Sequence, residues 1–501
     1  MEQTMRGDEQ TTTVGQLPKP ETGNTRVPTA LTRIVWFLWV LSCGALAARL
    51  YTGEAWEAAR LVRVDGLTVV MWVTVTFFSG IVHSYARRYM AGSRTIERFF
   101  GRVFAFTLIV MTLVAADNLV LFGGAWLAMG LVMADLIGHV EGWPQAQAAA
   151  SLARRYFVAS TASLAVALTP LWWYTGATTV SGIVTTVGTT PPTIALFAAA
   201  ALLLAAMIQS AQLPFHTWLL SSMTAPTPAS ALMHAGFVNA GGILLVRFAP
   251  VVTVDPGFMI AIVLVGAASA LGGKLLKSVQ TDVKGVLGCS TVGQMGFMIM
   301  QAGLGFFGAA ITHLILHGFY KAYQFLAAGS QVRHESPTNS ESNSTGSAGV
   351  VGVAVVIATA LVGGGLFAVL TGKGTKLDSG LLLTFLVVLT VLHAAREVVV
   401  NASLPTTLRY GAVPLVALPA LAVYAAVYRV IEGLLIGLPG VGPPATLTAV
   451  HGAVAAAFVV AYLAIETGAY RRSQRLYVTL LNATQPPSDT LLTSTEEYNE
   501  Y

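Results

Sequence analysis

The sequence predicts an all-α protein that crosses a membrane about 14 times. Of its 501 residues, 55% are hydrophobic and only 10% are charged, and the mean hydropathy is +0.69. A soluble protein carries about 25% charged residues, so this composition excludes a water-soluble enzyme. The apolar residues fall into runs of about 20, the length that an α-helix needs to cross a bilayer. Such runs are too long for barrel strands, and a spanning backbone must satisfy its own hydrogen bonds, so the spans are helices.

Fourteen apolar runs are candidate transmembrane helices. They lie at 31–50, 66–86, 99–116, 118–139, 155–173, 194–221, 228–248, 257–277, 283–302, 306–330, 349–370, 380–400, 410–431 and 446–467. If the N-terminus is cytoplasmic, 20 of the 28 Lys and Arg residues fall on the inside and seven on the outside. Because inside loops are enriched in Lys and Arg, we expect a multi-pass protein of the cell (inner) membrane with both termini in the cytoplasm.

The order of the runs predicts a domain organisation built on two five-helix units. Their ranges are 99–248 and 249–409, and a flexible, Ser- and Asn-rich linker at 333–348 interrupts the second. Because five is an odd number, the second unit is inverted relative to the first, an arrangement found in transporters. The remaining segments are a polar cytoplasmic tail (1–30), N-terminal helices (31–98), C-terminal helices (410–468) and a second cytoplasmic tail (469–501).

Two of the predicted spans contain helix-weakening residues. Gln209 and Pro214 interrupt the span at 194–221, and proline removes a helix donor and clashes with the preceding turn. Gly364, in a run of three glycines, occupies the equivalent fourth helix of the second unit. Since paired discontinuous helices mark ion or substrate sites in transporters, we predict that both spans are broken at these positions.

The strongest candidate site is a line of ionisable residues in the span at 306–330. His313, His317 and Lys321 are spaced four residues apart, which places them along one slowly winding stripe of a helix. Ionisable groups inside a membrane are expensive and commonly functional, and histidine can both donate and accept a proton. We therefore predict a proton wire. Two alternatives remain open: structural hydrogen bonds to neighbouring helices, and a metal site on the two histidines.

Four further residues are candidates for the same proton path. His234 and His393 lie in the fifth helices of the two units, His216 follows Pro214, and Asp135 lies near the cytoplasmic end of its run. Each histidine could equally form a structural bond between helices, and Asp135 could lie at the membrane interface. No phosphate-binding loop, dinucleotide-binding glycine pattern or cluster-binding cysteine spacing is present, so no cofactor is expected in this chain.

Several motifs resemble the proton-translocating antiporter-like subunits of respiratory complex I and of Mrp antiporters. They are SAQLPFHTWL (210–219), APTPASALMHA (225–235), VQTDVKGVL (279–287), STVGQMG (290–296) and the polar helix from His313 to Lys321. The resemblance covers roughly residues 65–400 and implies the inverted five-helix repeats. The chain departs from that family at two positions. Leu127, after Trp126, replaces a membrane glutamate, and Gln209 replaces a central lysine.

Residues 233–250 are more similar to the DabB family, the membrane subunits of two-component DAB inorganic carbon transporters. This resemblance implies a membrane subunit that conducts cations, protons being the expected ion and Na⁺ the other candidate. It also implies a soluble zinc subunit, DabA, which resembles a β-carbonic anhydrase and hydrates CO2 to bicarbonate. The zinc would then lie in the partner, and the present chain would not be an enzyme. Two alternatives are a subunit of a complex I or Mrp-type assembly and a non-conducting membrane anchor for a soluble enzyme.

Overall fold

The computed structural model describes residues 26–331, 350–401, 406–441 and 444–485. The first ten helices are α1 (Arg26–Thr52), α2 (Gly66–Tyr89), α3 (Ile96–Ala115), α4 (Leu119–Ile137), α5 (Pro144–Thr175), α6 (Val180–Thr186), α7 (Pro192–Gln209), α8 (Thr217–Ser221), α9 (Thr227–Ala235) and α10 (Ala240–Arg247). The next ten are α11 (Ala249–Val252), α12 (Pro256–Lys277), α13 (Val283–Gly303), α14 (Phe307–Leu326), α15 (Val350–Thr371), α16 (Gly380–Asn401), α17 (Thr406–Leu435), α18 (Ala449–Glu466), α19 (Ala469–Arg472) and α20 (Gln474–Thr484). A short antiparallel hairpin of β1 (Trp56–Ala58) and β2 (Val62–Val64) connects α1 to α2.

Each of the 14 predicted spans coincides with helical structure, so the predicted fold class is confirmed. Within the described residues, 11 helices are long and apolar enough to cross a membrane by length and composition. The other three predicted spans correspond to α13, α14 and α16. The predicted linker at 333–348 lies outside the described residues, as do residues 1–25 and 486–501 of the predicted tails.

Polar and proline residues set the starts of several helices. Asn118 caps α4 by accepting hydrogen bonds from the backbone of Val120 and Leu121 at 3.0 and 3.1 Å. Asp255 and Asp282 cap α12 and α13 in the same way. Because the first turn of a helix leaves backbone donors without partners, these side chains stabilise the helix at the point where it begins.

The prediction that Gly364 breaks a helix is wrong, because α15 runs without interruption from Val350 to Thr371. A Cβ atom at Gly364 would lie 2.3 Å from Cγ2 of Val388 in α16. The glycine therefore allows two helices to approach closely. A single glycine costs a helix only about 1 kcal/mol relative to alanine, which packing in this position offsets.

Glycines also bring the backbones of α12 and α13 together. A Cβ atom at Gly273 would lie 2.3 Å from the backbone nitrogen of Gly293. At Gly296 it would lie 2.4 Å from the backbone nitrogen of Ala270. Because backbone atoms cannot rotate away as side chains can, any larger residue would push the two helices apart.

We expect Gly296→Ala to destabilise the protein by about 1–3 kcal/mol through overpacking. Gly365→Ala is the matched control, because a Cβ atom there meets nothing within 4 Å and alanine favours the helix. Thermal unfolding of the detergent-purified variants measures both. Equal unfolding midpoints for the two variants would contradict the close approach of α12 and α13.

A buried ion pair joins α2, α3 and α10. Asp65, the N-cap of α2, pairs with Arg247 at the end of α10, and both side chains are 8% exposed. Arg247 also donates to Oγ1 of Thr68 at 2.7 Å and to the carbonyl of Val114 at 2.6 Å. Burial by itself raises the pKa of Asp65, but the charge and hydrogen bonds of Arg247 outweigh it and hold the pKa below its ordinary value of 3.8.

We expect Arg247→Met to lower the free energy of unfolding by about 3–5 kcal/mol, since it leaves a buried carboxylate without its cation. Adding Asp65→Asn should recover part of that loss. In the wild type, the depressed pKa of Asp65 gives a stabilisation that is present above about pH 4 and is lost as the pH falls through the folded-state value. Unfolding curves of the three proteins between acid and neutral pH test this, and a single variant as stable as the wild type would refute it.

Candidate functional site

Helix α14 places the predicted His313, His317 and Lys321 on successive turns. The two imidazole rings are nearly parallel, with centroids 5.8 Å apart and an interplanar angle of 14°. Lys321 is completely buried, and His317 is 6% exposed. The predicted line of ionisable groups is therefore buried at Lys321 and His317, and His313 is partly buried.

Helix α13 connects this line to His234 in α9. The Lys321 Nζ atom donates to the carbonyl of Leu287 at 3.0 Å, and the Thr291 hydroxyl donates to the same carbonyl at 2.9 Å. The Nδ1 atom of His234 lies 3.0 Å from Oγ1 of Thr291. Since the Thr291 proton is directed to Leu287, its oxygen must accept, and Nδ1 of His234 carries a proton. A continuous hydrogen-bonded chain thus joins His234 to Lys321.

Several imidazole nitrogens of this site have no hydrogen-bond partner among the described residues. They are Nε2 of His234, Nε2 of His313 and both ring nitrogens of His317. Buried polar atoms in proteins are almost always bonded, so four such atoms in one site are unusual. The open lone pairs can take up a proton without breaking an existing hydrogen bond.

The predicted break in the span at 194–221 is confirmed. Helix α7 ends at Gln209, and α8 begins at Thr217 after the cis peptide bond that precedes Pro214. The indole of Trp218 donates to the carbonyl of Ile208 at 3.0 Å, which satisfies an acceptor that the break exposes. The Gln209 side chain is fully buried, and neither of its amide atoms has a partner in the described structure.

A second break, which the sequence analysis missed, follows His234. Helix α9 ends at Ala235, a 3₁₀ turn covers Phe237–Asn239, and α10 begins at Ala240. The amide of Asn239 donates to the carbonyl of Ala235 at 2.7 Å and so replaces a lost helical bond. The sequence feature that could have predicted this break is the presence of Gly236 and Asn239 directly after a histidine in a predicted span.

The structure places the other three predicted residues away from the line in α14. Asp135 forms an ion pair with Arg154 at 2.8 Å, and both side chains are exposed. His216 donates from Nε2 to the carbonyl of Ala483 in α20 at 2.9 Å. Part of the predicted C-terminal tail is therefore helical and packs against the broken helix.

His393 belongs to a separate ionic cluster at the ends of α12, α16 and α18. Lys274 Nζ lies 2.9 Å from its Nε2, and its Nδ1 lies 2.8 Å from Oε1 of Glu466, which also pairs with Arg396. Glu466 was missed by the sequence analysis, although it is an acidic residue in an otherwise apolar run. Lysine can only donate, so Nδ1 of His393 carries the proton that is shared with Glu466.

A largely apolar cavity lies beside Leu127, the residue that the resemblance aligns with a membrane glutamate. The neighbouring Trp126 lines this cavity of about 30 Å³ with Phe122 and Met129. The Trp126 indole donates to Oγ of Ser160 at 3.1 Å. This part of the first repeat therefore offers no carboxylate that could take up a proton.

His139, in the loop after α4, is a further histidine that the sequence analysis did not consider. Burial and the positive charges of Arg102 and Arg98 lower its pKa to about 4. Its ring nitrogens lie 3.0 Å from Oγ1 of Thr95 and 3.3 Å from Arg102. It is therefore neutral at physiological pH and connects two loops. Among the described residues, no group of three or more His, Cys, Asp or Glu side chains could hold a metal ion.

Comparison with known proteins places this geometry in a class. Residues 116–348 match the family described as NADH:quinone oxidoreductase/Mrp antiporter, TM, and residues 60–100 match the N-terminal part of complex I chain 5. The fold is similar to the Mrp complex from Dietzia sp. DQ12-45-1b, with a TM-score of 0.54 and 22% identity over 94% of this chain and 53% of that one. The chain is a multi-pass membrane protein, and over residues 60–100 and 116–348 it is similar to the class of antiporter-like membrane subunits.

Within that class it is related to DabB proteins. It is 40% identical over 280 residues to the probable inorganic carbon transporter subunit DabB1 of Halothiobacillus neapolitanus, covering 54% of this chain and 50% of that protein. It is 39% identical over 282 residues to the corresponding DabB subunit of Bacillus subtilis, covering 55% of each. The matched region spans about half the length of these relatives.

Proposed function

We propose that this chain is the proton-conducting membrane subunit of a two-component inorganic carbon uptake system. The observation that carries the proposal is the line of His313, His317 and Lys321 inside α14, whose Lys321 shares the Leu287 carbonyl with Thr291, the hydrogen-bond partner of His234. Its relation to subunits named as inorganic carbon transporters supplies the substrate class.

The proposed conduction uses the two nitrogen atoms of each imidazole ring. A histidine accepts a proton at one nitrogen and releases another from the opposite nitrogen, and His313 and His317 lie one turn apart. Lys321 ends the line with an amino group that is removed from solvent. A positive charge at this buried position costs free energy. A cation that arrives at either end of the line in α14 therefore favours proton release from the neighbouring groups of the line.

The carbon chemistry belongs to the partner in this proposal. A soluble zinc subunit resembling a carbonic anhydrase would hydrate CO2 on the cytoplasmic side, and proton flow through this chain would drive that step in one direction. The basic loops at 87–102 and 139–155 are candidate docking surfaces. The distribution of Lys and Arg supports a cytoplasmic position for both termini in this proposal.

We expect Lys321→Met to reduce bicarbonate accumulation roughly tenfold or more in cells, because the variant retains the volume of the side chain but cannot carry the proton. Lys376→Ala, an exposed lysine in the loop after α15, is the control and should accumulate bicarbonate normally. Partner binding should be unchanged in both variants. Full uptake by Lys321→Met would remove this residue from the path, and uptake that also survives loss of the three histidines would favour the anchor role.

Purification of the tagged chain in mild detergent, with mass spectrometry and zinc analysis, tests the partner directly. We expect a large soluble zinc protein in near-stoichiometric amount. Copurification of hydrophobic antiporter or quinone-reductase subunits without zinc would instead assign the chain to a complex I or Mrp-type assembly.

A further inference from the structure

Helix α2 carries a stripe of buried and partly buried polar side chains, most of which contact α3. The positions are separated by three or four residues and therefore share one face of the helix: Thr68, Trp72, Thr76, Ser79 and His83. Three of these residues bond to α3. Thr68 donates to the carbonyl of Val114 at 3.1 Å, Trp72 donates to that of Met111 at 2.8 Å, and Ser79 bonds Thr107 at 2.5 Å. This stripe lies on a different pair of helices from the line in α14.

His83 is the ionisable member of the stripe, and its tautomer follows from its contacts. Its Nδ1 atom lies 2.8 Å from the carbonyl oxygen of Ser79, which can only accept, so Nδ1 carries a proton. The Nε2 atom is therefore a lone-pair base. It is buried and has no hydrogen-bond partner among the described residues, while the ring meets Phe100 edge-on at 5.4 Å.

Two hydroxyl groups next to His83 are ordered by hydrogen bonds. Thr107 donates to the carbonyl of Val103 at 2.8 Å, so its oxygen accepts the proton of Ser79. The Ser79 oxygen in turn lies 3.2 Å from Nδ1 of His83. All three side chains are buried, and these contacts position the His83 ring with Nε2 as its basic atom.

A purely structural role does not account for this arrangement. The bond from Nδ1 to the Ser79 carbonyl requires only one ring nitrogen, and an amide could supply it. The second nitrogen remains a base inside a membrane-spanning helix, where ionisable groups are commonly retained for function. Serine and threonine alone would be sufficient to hold α2 against α3.

We propose that His83 is a second proton-binding site, separate from the line between His313 and Lys321. Nε2 takes up one proton, which gives a doubly protonated ring while the Nδ1 proton stays on the carbonyl of Ser79. Release of one proton from Nε2 restores the neutral Nδ1–H tautomer, so that the number of protons is conserved. This inference rests on the proposed function, because it requires that protons are the conducted ion.

Proton flux into vesicles that contain the purified chain and its copurifying partner tests the site. We expect His83→Gln to lower the flux roughly a hundredfold, the contribution typical of a positioned proton-transfer group. Ser79→Ala and Thr107→Val should lower it less and leave the fold intact. His451→Gln is the matched control, since His451 is also buried but accepts a capping bond from Thr448 in α18. Flux of His83→Gln equal to that of the control would overturn the inference.

Solid-state NMR of the ¹⁵N-histidine-labelled wild type in lipid bilayers reads the protonation state of the ring without a flux measurement, and a folded variant is needed only to assign the signal. The chain has nine histidines, and the difference from His83→Gln, or from Ser79→Ala, assigns the signal. We expect the Nδ1–H tautomer at neutral pH and a doubly protonated ring on acidification. A ring that never takes the second proton would overturn the proton site. If wild type and Lys321→Met conduct equally while His83→Gln does not, the line in α14 fails and His83 stands. If the wild type conducts no protons at all, both proposals fail.

Discussion

The contact between two interrupted helices organises the rest of the site. The Ser210 hydroxyl, at the end of α7, donates to the carbonyl of Val238 at 2.6 Å, inside the turn between α9 and α10. A Cβ atom at Gly241 would lie 2.3 Å from that hydroxyl, so only glycine lets α10 approach so closely. Inside a membrane an interrupted backbone must find partners within the protein, and here the first break supplies a hydrogen-bond donor to the second. This requirement fixes His234 and Gln209 in neighbouring elements.

The same arrangement places the candidate site between α9, α13 and α14. His234 comes from α9, Thr291 and Leu287 come from α13, and Lys321 comes from α14. The ring of His234 also stacks on Phe325 of α14, with centroids 4.2 Å apart. A shift of α9 relative to α13 and α14 would therefore alter both the stacking and the hydrogen-bonded chain. The position of His234 is in this way linked to the packing of two other helices.

Composition and run length were sufficient to predict the helices, because a membrane leaves few other solutions for a spanning backbone. Proline predicted the first break correctly, since it removes a donor wherever it stands in a helix. The prediction that Gly364 breaks a helix was wrong because the sequence does not distinguish a glycine that interrupts a helix from one that allows two helices to pack closely. The second break, Glu466 and His83 were missed for a related reason: their significance depends on partners far away in the chain. Asp135, His216 and His393 were visible as ionisable residues, but only the fold shows that their partners are Arg154, Ala483 and Glu466.

The two departures from the antiporter-like pattern make the protein electrostatically asymmetric. Leu127 and Gln209 replace a glutamate and a lysine by uncharged side chains, and the cavity beside Trp126 is apolar. A neutral amide can stay buried next to the break at a much lower desolvation penalty than an ammonium group. The second unit, by contrast, retains Lys321 at full burial. In the proposed function, the proton path would therefore depend most on α14 and on imidazoles such as His234, which can bind and release a proton and are otherwise neutral.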